Sequence, residues 1–72
     1  MGEREIVKLR NLIYVEVKEV TVVSQRAILV SNGKVEAWIP RGQIGYKSEV
    51  KEKGDSGLLL IPEWIAKERG LI

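Results

Sequence analysis

Residues Ala27 to Pro40 read AILVSNGKVEAWIP, and the reading of this stretch decides the fold. Asn32-Gly33 lies between two runs rich in Ile, Val and Leu. Asn-Gly suits a two-residue type I′ turn, whose central residues both need positive φ. The sequence thus predicts a β-hairpin pairing Ser31 with Lys34, Val30 with Val35, Ile28 with Ala37 and Ala27 with Trp38. Strand side chains alternate between faces. One face then carries Ile28, Val30, Val35, Ala37 and Ile39 and is the core face. The other carries Ala27, Leu29, Ser31, Lys34, Glu36 and Trp38. A three-residue loop with a bulge would shift the pairing by one and set Ile28 and Val30 beside Glu36. The two-residue turn is therefore preferred. Pro40 has no N–H for a ladder, so the strand ends there or lies at an edge.

Upstream, Leu12 to Val23 is the longest β signal. Ile13, Val15 and Val17 alternate with Tyr14, Glu16 and Lys18, the pattern of a half-buried strand. The phase then changes: Glu19 falls where an apolar residue is due, and Val20 and Val22 take over. A bulge near Lys18-Glu19, or a strand bending between two packing environments, accounts for this. Residues 1 to 11 are charged and weakly patterned, and are expected to form a first, partly frayed strand.

Downstream, Arg41 to Ser48 reads as a loop in which Ile44 anchors to the core. Tyr46 to Lys53 is expected as a strand with Tyr46, Ser48 and Val50 on one side. Gly54-Asp55-Ser56-Gly57 is a turn. Leu58 to Ile61 is a short, wholly apolar strand. Pro62 opens a helix over 62–70, being favoured at the first helical position. Glu63 complements its positive end, and Lys67 and Arg69 its negative end. Gly70 caps it. Ile61, Trp64, Ile65 and Leu71 form the stripe expected to dock on the sheet. The expected architecture is one mainly β domain over residues 1–72. It is a small five-stranded antiparallel curled sheet or barrel, SH3-like or OB-like, with one short C-terminal α-helix. Closure of a barrel would remove exposed strand edges. An open sheet capped by the helix is the alternative.

Composition narrows the function. The chain has 72 residues, no Cys and no His. No disulfide is available, and zinc, which prefers thiolate and imidazole, has no ligand set. No cofactor or metal is expected. No apolar run approaches the ~20 residues of a membrane helix, and MGEREIVKLR lacks a signal-peptide core. A cytoplasmic protein without membrane contact is the expectation. Nine of the ten acids are Glu, a composition leaning toward a thermophile.

The segments Trp38-Ile39-Pro40-Arg41-Gly42-Gln43-Ile44 and Pro62-Glu63-Trp64-Ile65-Ala66, with Gly70-Leu71, carry a resemblance. The chain resembles a family of short uncharacterised proteins of phages, mobile elements and prokaryotes. That family has a W-I-P-x-x-Q-I segment and a P-x-W-[IL]-A-x-x-x-G-L tail. The resemblance spans roughly residues 20 to 72. This chain departs from it at Gly42, where Ser is expected, and in its N-terminal stretch. The resemblance implies no activity; it suggests a setting in prokaryotic or phage DNA or RNA transactions.

No catalytic constellation is visible. Ser24, Ser31, Ser48 and Ser56 have no evident base. Glu49, Glu52 and Asp55 read as a solvated strand edge and turn. Gly42-x-x-Gly45 lacks the context of a phosphate loop. The chain is therefore not expected to be an enzyme. Lys34, Trp38, Arg41, Gln43, Tyr46 and Lys47 fall in a region with no acid between residues 37 and 48. Cations for phosphates and flat rings for bases are what single-stranded nucleic acid requires. These six residues are the candidate site. The competing reading buries Trp38 under the C-terminal helix against Trp64 or Leu71; Trp64, on the helix stripe, is expected in the core in either case. The rival function is a protein-interaction adaptor or homodimer, using the apolar helix stripe, the Leu71-Ile72 end or strand addition at Arg4 to Leu9.

Overall fold

The computed structural model describes residues 11–72, and the strand expected over residues 1 to 11 lies almost wholly outside them. Five strands and one helix follow in order: β1 Leu12–Val17, β2 Glu19–Val23, β3 Ala27–Ser31, β4 Glu36–Pro40, β5 Gly57–Pro62 and α1 Glu63–Glu68. A 3-10 turn, Arg41–Gln43, follows β4. The strands form two sheets, β1-β5 and β2-β3-β4, and not one closed five-stranded barrel. All pairings are antiparallel. Among the described residues no helix is long and apolar enough to cross a membrane.

The chain passes from one sheet to the other at Lys18, the single residue between β1 and β2. This is the bend that the phase change announces. The register also slips between Val20 and Val22, opposite Val30 and Leu29, leaving Thr21 as the bulged residue. The bulge falls beyond the expected Lys18-Glu19 position. It lets Val20 point inward, fully buried, while Val22 is half exposed on the outside.

The hairpin forms, but not with the expected turn. Ser31 pairs with Glu36, Val30 with Ala37, Leu29 with Trp38, Ile28 with Ile39 and Ala27 with Pro40. The loop is four residues, Asn32 to Val35. The reason is the Asn32 side chain. Among the described residues only glycines have positive φ, so Asn32 does not adopt the type I′ conformation. Its Oδ1 instead accepts the N–H groups of Lys34 and Val35, both at 2.9 Å, a local turn that competes with the tight one. The pairing moves by two residues, so each side chain keeps its face. Ile28, Val30, Ala37 and Ile39 are buried; Val35 leaves the ladder and is exposed.

The expected strand over Tyr46 to Lys53 is not formed. This segment runs along the free edge of β5 and satisfies it irregularly. The Gly45 N–H donates to the Leu60 carbonyl (2.7 Å) and the Glu49 N–H to the Leu58 carbonyl (2.8 Å). The Leu60 N–H donates to Ser48 Oγ (2.8 Å), and the Leu58 N–H to Glu49 Oε1 (2.9 Å). Two side chains thus replace two ladder acceptors. Ser48 and Val50 are buried. The turn that follows is clamped to β2: Val20 N–H donates to the Asp55 carbonyl (3.0 Å) and Gly54 N–H to the Val20 carbonyl (2.8 Å).

Asp55 holds that turn. Its Oδ2 accepts the N–H groups of Lys51 and Glu52, both at 2.8 Å. The Lys51 N–H first, then that of Glu52, pull the carboxyl pKa below its ordinary 3.8. A depressed folded-state pKa gives stability that is whole above the unfolded value and is lost as pH falls through the folded one. Asp55→Asn is therefore expected to lower the melting temperature at pH 7, with the gap to wild type closing below about pH 3.8. A gap that stayed constant down to pH 2 would overturn this role.

The core is aliphatic throughout: Val15, Val17, Val20, Ile28, Val30, Ala37, Ile39, Val50, Leu59, Ile61, Ile65, Ala66 and Leu71. Pro62 is the N-cap and last strand residue, not the first helical one. Helix α1 then buries Ile65 and Ala66. With those two on the inner face, Trp64 falls on the outer side at 100° per residue. It is 42% exposed, against the core placement expected from the stripe. The helix ends in a Schellman motif. Leu71 N–H donates to the Ala66 carbonyl (2.8 Å) and Gly70 N–H to that of Lys67 (3.2 Å), with Gly70 at φ 76°.

Candidate nucleic-acid interface

Arg41 leaves β4 tethered twice. Its N–H donates to the Arg26 carbonyl at 2.8 Å, the last rung of the β3-β4 ladder. Its Nε donates to the Ser24 carbonyl at 2.7 Å. The guanidinium is thus fixed on the β2-β3 turn, and among the described residues it has no carboxylate within ion-pair range. The 3-10 turn carries Gln43, half buried, and leads to Ile44, half buried against the core. Gly45 is pinned to β5, and the chain then lifts Tyr46 into solvent at 83% exposure. Lys47 Nζ sits 5.9 Å from the Tyr46 ring centroid, at the outer limit of a cation–π contact.

A cleft of ≈170 Å³ opens here between the end of β3 and the 44–51 segment. Ile28, Ile44 and Val50 form its floor, Gly45 one wall, and Arg41, Tyr46 and Lys51 its rim. Among the described residues no carboxylate lines it. The sequence missed Lys51. Strand alternation over Tyr46 to Lys53 would place Lys51 opposite Tyr46, but the segment breaks that alternation. Gly54-Asp55 marks a turn, yet only the structure shows the Asp55 carboxylate reaching back to fix the Lys51 backbone.

Two of the six predicted site residues stand apart. Lys34 is in the hairpin loop at the far end of β4, seven residues from Arg41; at ~3.3 Å per strand residue that is roughly 20 Å. Trp38 lies on the outer face of β4, whereas Ile28 of the cleft points inward. Trp38 is 46% exposed, so it is not buried under the helix; at the helix end Arg69 Nε donates to the Trp38 carbonyl (3.2 Å). Its row across the sheet is Val22, Leu29 and Trp38, and the next row is Glu19, Ser31 and Glu36. That row puts carboxylates beside the ring. Arg41, Gln43, Tyr46 and Lys47 remain together near the cleft.

All four aromatic residues face outward: Tyr14 51%, Trp38 46%, Tyr46 83% and Trp64 42% exposed. Aromatic rings usually dominate small cores; here none is in the core, so their cost in exposed apolar surface calls for another explanation. Compared with protein-family models, curated proteins and solved structures, the chain matches none.

Proposed function

We propose that this chain is a non-catalytic nucleic-acid-binding module. It contacts single strands through Arg41, Tyr46, Lys47 and Lys51, with Gln43 beside them. The observation that carries the reading is the cleft rim: two cations and a solvent-facing tyrosine over an apolar floor, with no carboxylate among the described residues. Such a rim offers charge to phosphates and a flat face to bases. At ≈170 Å³ this cleft is smaller than the ~300–1,000 Å³ usual for a drug-sized ligand.

The test is fluorescence anisotropy of a labelled single-stranded ten-mer at low and at physiological salt. Arg41→Glu with Lys47→Glu is expected to weaken binding by at least about tenfold. Each lost phosphate contact removes ~0.7 from the log–log salt slope for single strands, so the slope falls by about 1.4. Lys34→Glu changes the net charge too, but is expected to leave binding nearly intact because that loop is remote. Unchanged affinity in the Arg41/Lys47 variant, or an equal loss in Lys34→Glu, would show that this surface is not the site.

A second reading, a protein-interaction module or homodimer, is favoured by one observation. Leu12, Tyr14 and Leu58 share the outer face of the β1-β5 sheet, each 40% exposed or more. An exposed apolar face of this kind marks interaction sites. Sedimentation showing a monomer throughout the micromolar range would remove the homodimer form of it.

A further inference from the structure

We infer that the cleft at the end of β3 is a pocket for one unpaired nucleobase, pyrimidine in size. This rests on the nucleic-acid reading and deepens it: the strand would be held by more than its phosphates. Three features of the cleft carry the inference. Its volume of ≈170 Å³ is close to that of an engineered apolar cavity of ~150 Å³ that takes a single benzene ring. One six-membered ring fits, and a fused purine would project out of the mouth. Its floor is Ile28, Ile44 and Val50, which favours a planar face over a sugar or a phosphate. Its rim places Tyr46 where its ring can lie on the exposed side of an inserted base, with Arg41 and Lys51 as flanking cations.

The geometry also explains how the rim stays open. Arg41 is held back by the Ser24 carbonyl through Nε, at 2.7 Å, which leaves its terminal nitrogens to face a ligand. The Lys51 backbone is fixed by Asp55, at 2.8 Å. Glu49, the acid between Tyr46 and Lys51, is occupied by the Leu58 N–H, at 2.9 Å. A base in a duplex cannot enter such a cleft without being unpaired and unstacked, so the pocket selects single strands.

The experiment compares four ten-mers with identical sugar-phosphate backbones: all thymine, all abasic, abasic with one central thymine, and abasic with one central adenine. Binding is read by tyrosine and tryptophan fluorescence and by anisotropy at low salt. The all-abasic strand is expected to bind at least about tenfold more weakly than all-thymine. The single thymine should recover most of that loss, and the single adenine less. Tyr46→Ala, a change at a solvent-facing position, should remove the gain of the single thymine over the all-abasic strand. If all four strands bind alike and all lose affinity in Arg41→Glu, the base pocket is wrong and phosphate binding at this surface stands. If the single thymine helps but Tyr46→Ala has no effect on that gain, the base is read elsewhere and this cleft is overturned. If no strand binds even at low salt, both the pocket and the nucleic-acid reading fall.

Discussion

Leu59→Ala is expected to lower the unfolding free energy by about 2–5 kcal/mol, the usual cost of truncating a buried leucine. Leu59 is fully buried. It sits in the middle of β5 opposite Val15 and belongs to the cluster shared by both sheets and the helix. Collapse around the lost methyl groups is restricted, because β5 is held by β1 on one side and by Gly45, Ser48 and Glu49 on the other. A chain of 72 residues has a total stability on the order of 4–11 kcal/mol. The substitution therefore removes a large share of it. At ~4–8 °C per kcal/mol for a domain of this size, the melting temperature should fall by about 8–40 °C. Urea denaturation followed by tryptophan fluorescence measures this directly. A loss below about 1 kcal/mol would mean that the core is less tightly packed than described.

Gly45→Val should be comparably severe, for the opposite reason. A Cβ built at Gly45 would lie 2.6 Å from Leu60 Cδ2, 2.9 Å from its Cγ and 3.2 Å from its Cβ. The first contact alone could be relieved by a χ2 change. The Cγ contact needs a full χ1 change, and the Cβ contact cannot be relieved by any rotamer, because the Leu60 backbone is fixed by the Gly45 N–H (2.7 Å) and by Ser48 Oγ (2.8 Å). Overpacking of this kind costs about 1–3 kcal/mol, and the added branch of valine worsens it. Breaking the Gly45–Leu60 hydrogen bond to escape the clash would free the 44–48 segment, with Tyr46 on it. The variant should thus lose stability and, even where still folded at low temperature, lose oligonucleotide affinity. Gly45→Ala should show both effects in milder form. Full affinity and full stability in Gly45→Val would contradict the close approach of the 45–48 segment to β5.

What the sequence disclosed and what it hid follow from the range of the forces involved. Face assignment was legible, because strand parity depends only on neighbours in sequence. Ile28, Val30, Ala37 and Ile39 are inward although their partners differ from those expected, since the register moved by two residues. Turn length was not legible, because Asn32 has two ways to serve a hairpin and only the side-chain bonds to Lys34 and Val35 decide between them. The strand expected at Tyr46 to Lys53 failed because Ser48 and Glu49 spend their side chains on β5, a tertiary event that alternation does not record. The closed barrel failed for a related reason: the pairing of β1 with β5 and the break at Lys18 divide the strands between two sheets. Of the candidate site, the grouping of Arg41, Gln43, Tyr46 and Lys47 follows from their nearness in sequence. Lys34 and Trp38 were separated from it by strand length and by face, and Lys51 was added by a turn.

The division of labour between the two sheets bears on how the chain reaches this state. β2, β3 and β4 are joined by short turns, so their ladders close loops of only a few residues. The β1-β5 ladder instead brings Val17 to Gly57 across about forty residues, which costs about 2 kcal/mol more in chain entropy than closing a four-residue loop. The meander is expected to form early as a local nucleus and the terminal pair late, once the hairpins and the turn clamped to β2 by Gly54 and Asp55 have shortened the path. On that order, Leu59→Ala should act chiefly by speeding unfolding, leaving the folding rate nearly unchanged. A slowed folding limb in its chevron would place β5 in the nucleus instead. On that order the cleft is completed in two stages: Arg41, tethered to the Ser24 carbonyl, is set with the meander, whereas Gly45, pinned to β5, and Tyr46 beside it are expected to be fixed only when β5 docks, which hydrogen exchange of the Gly45 N–H would check.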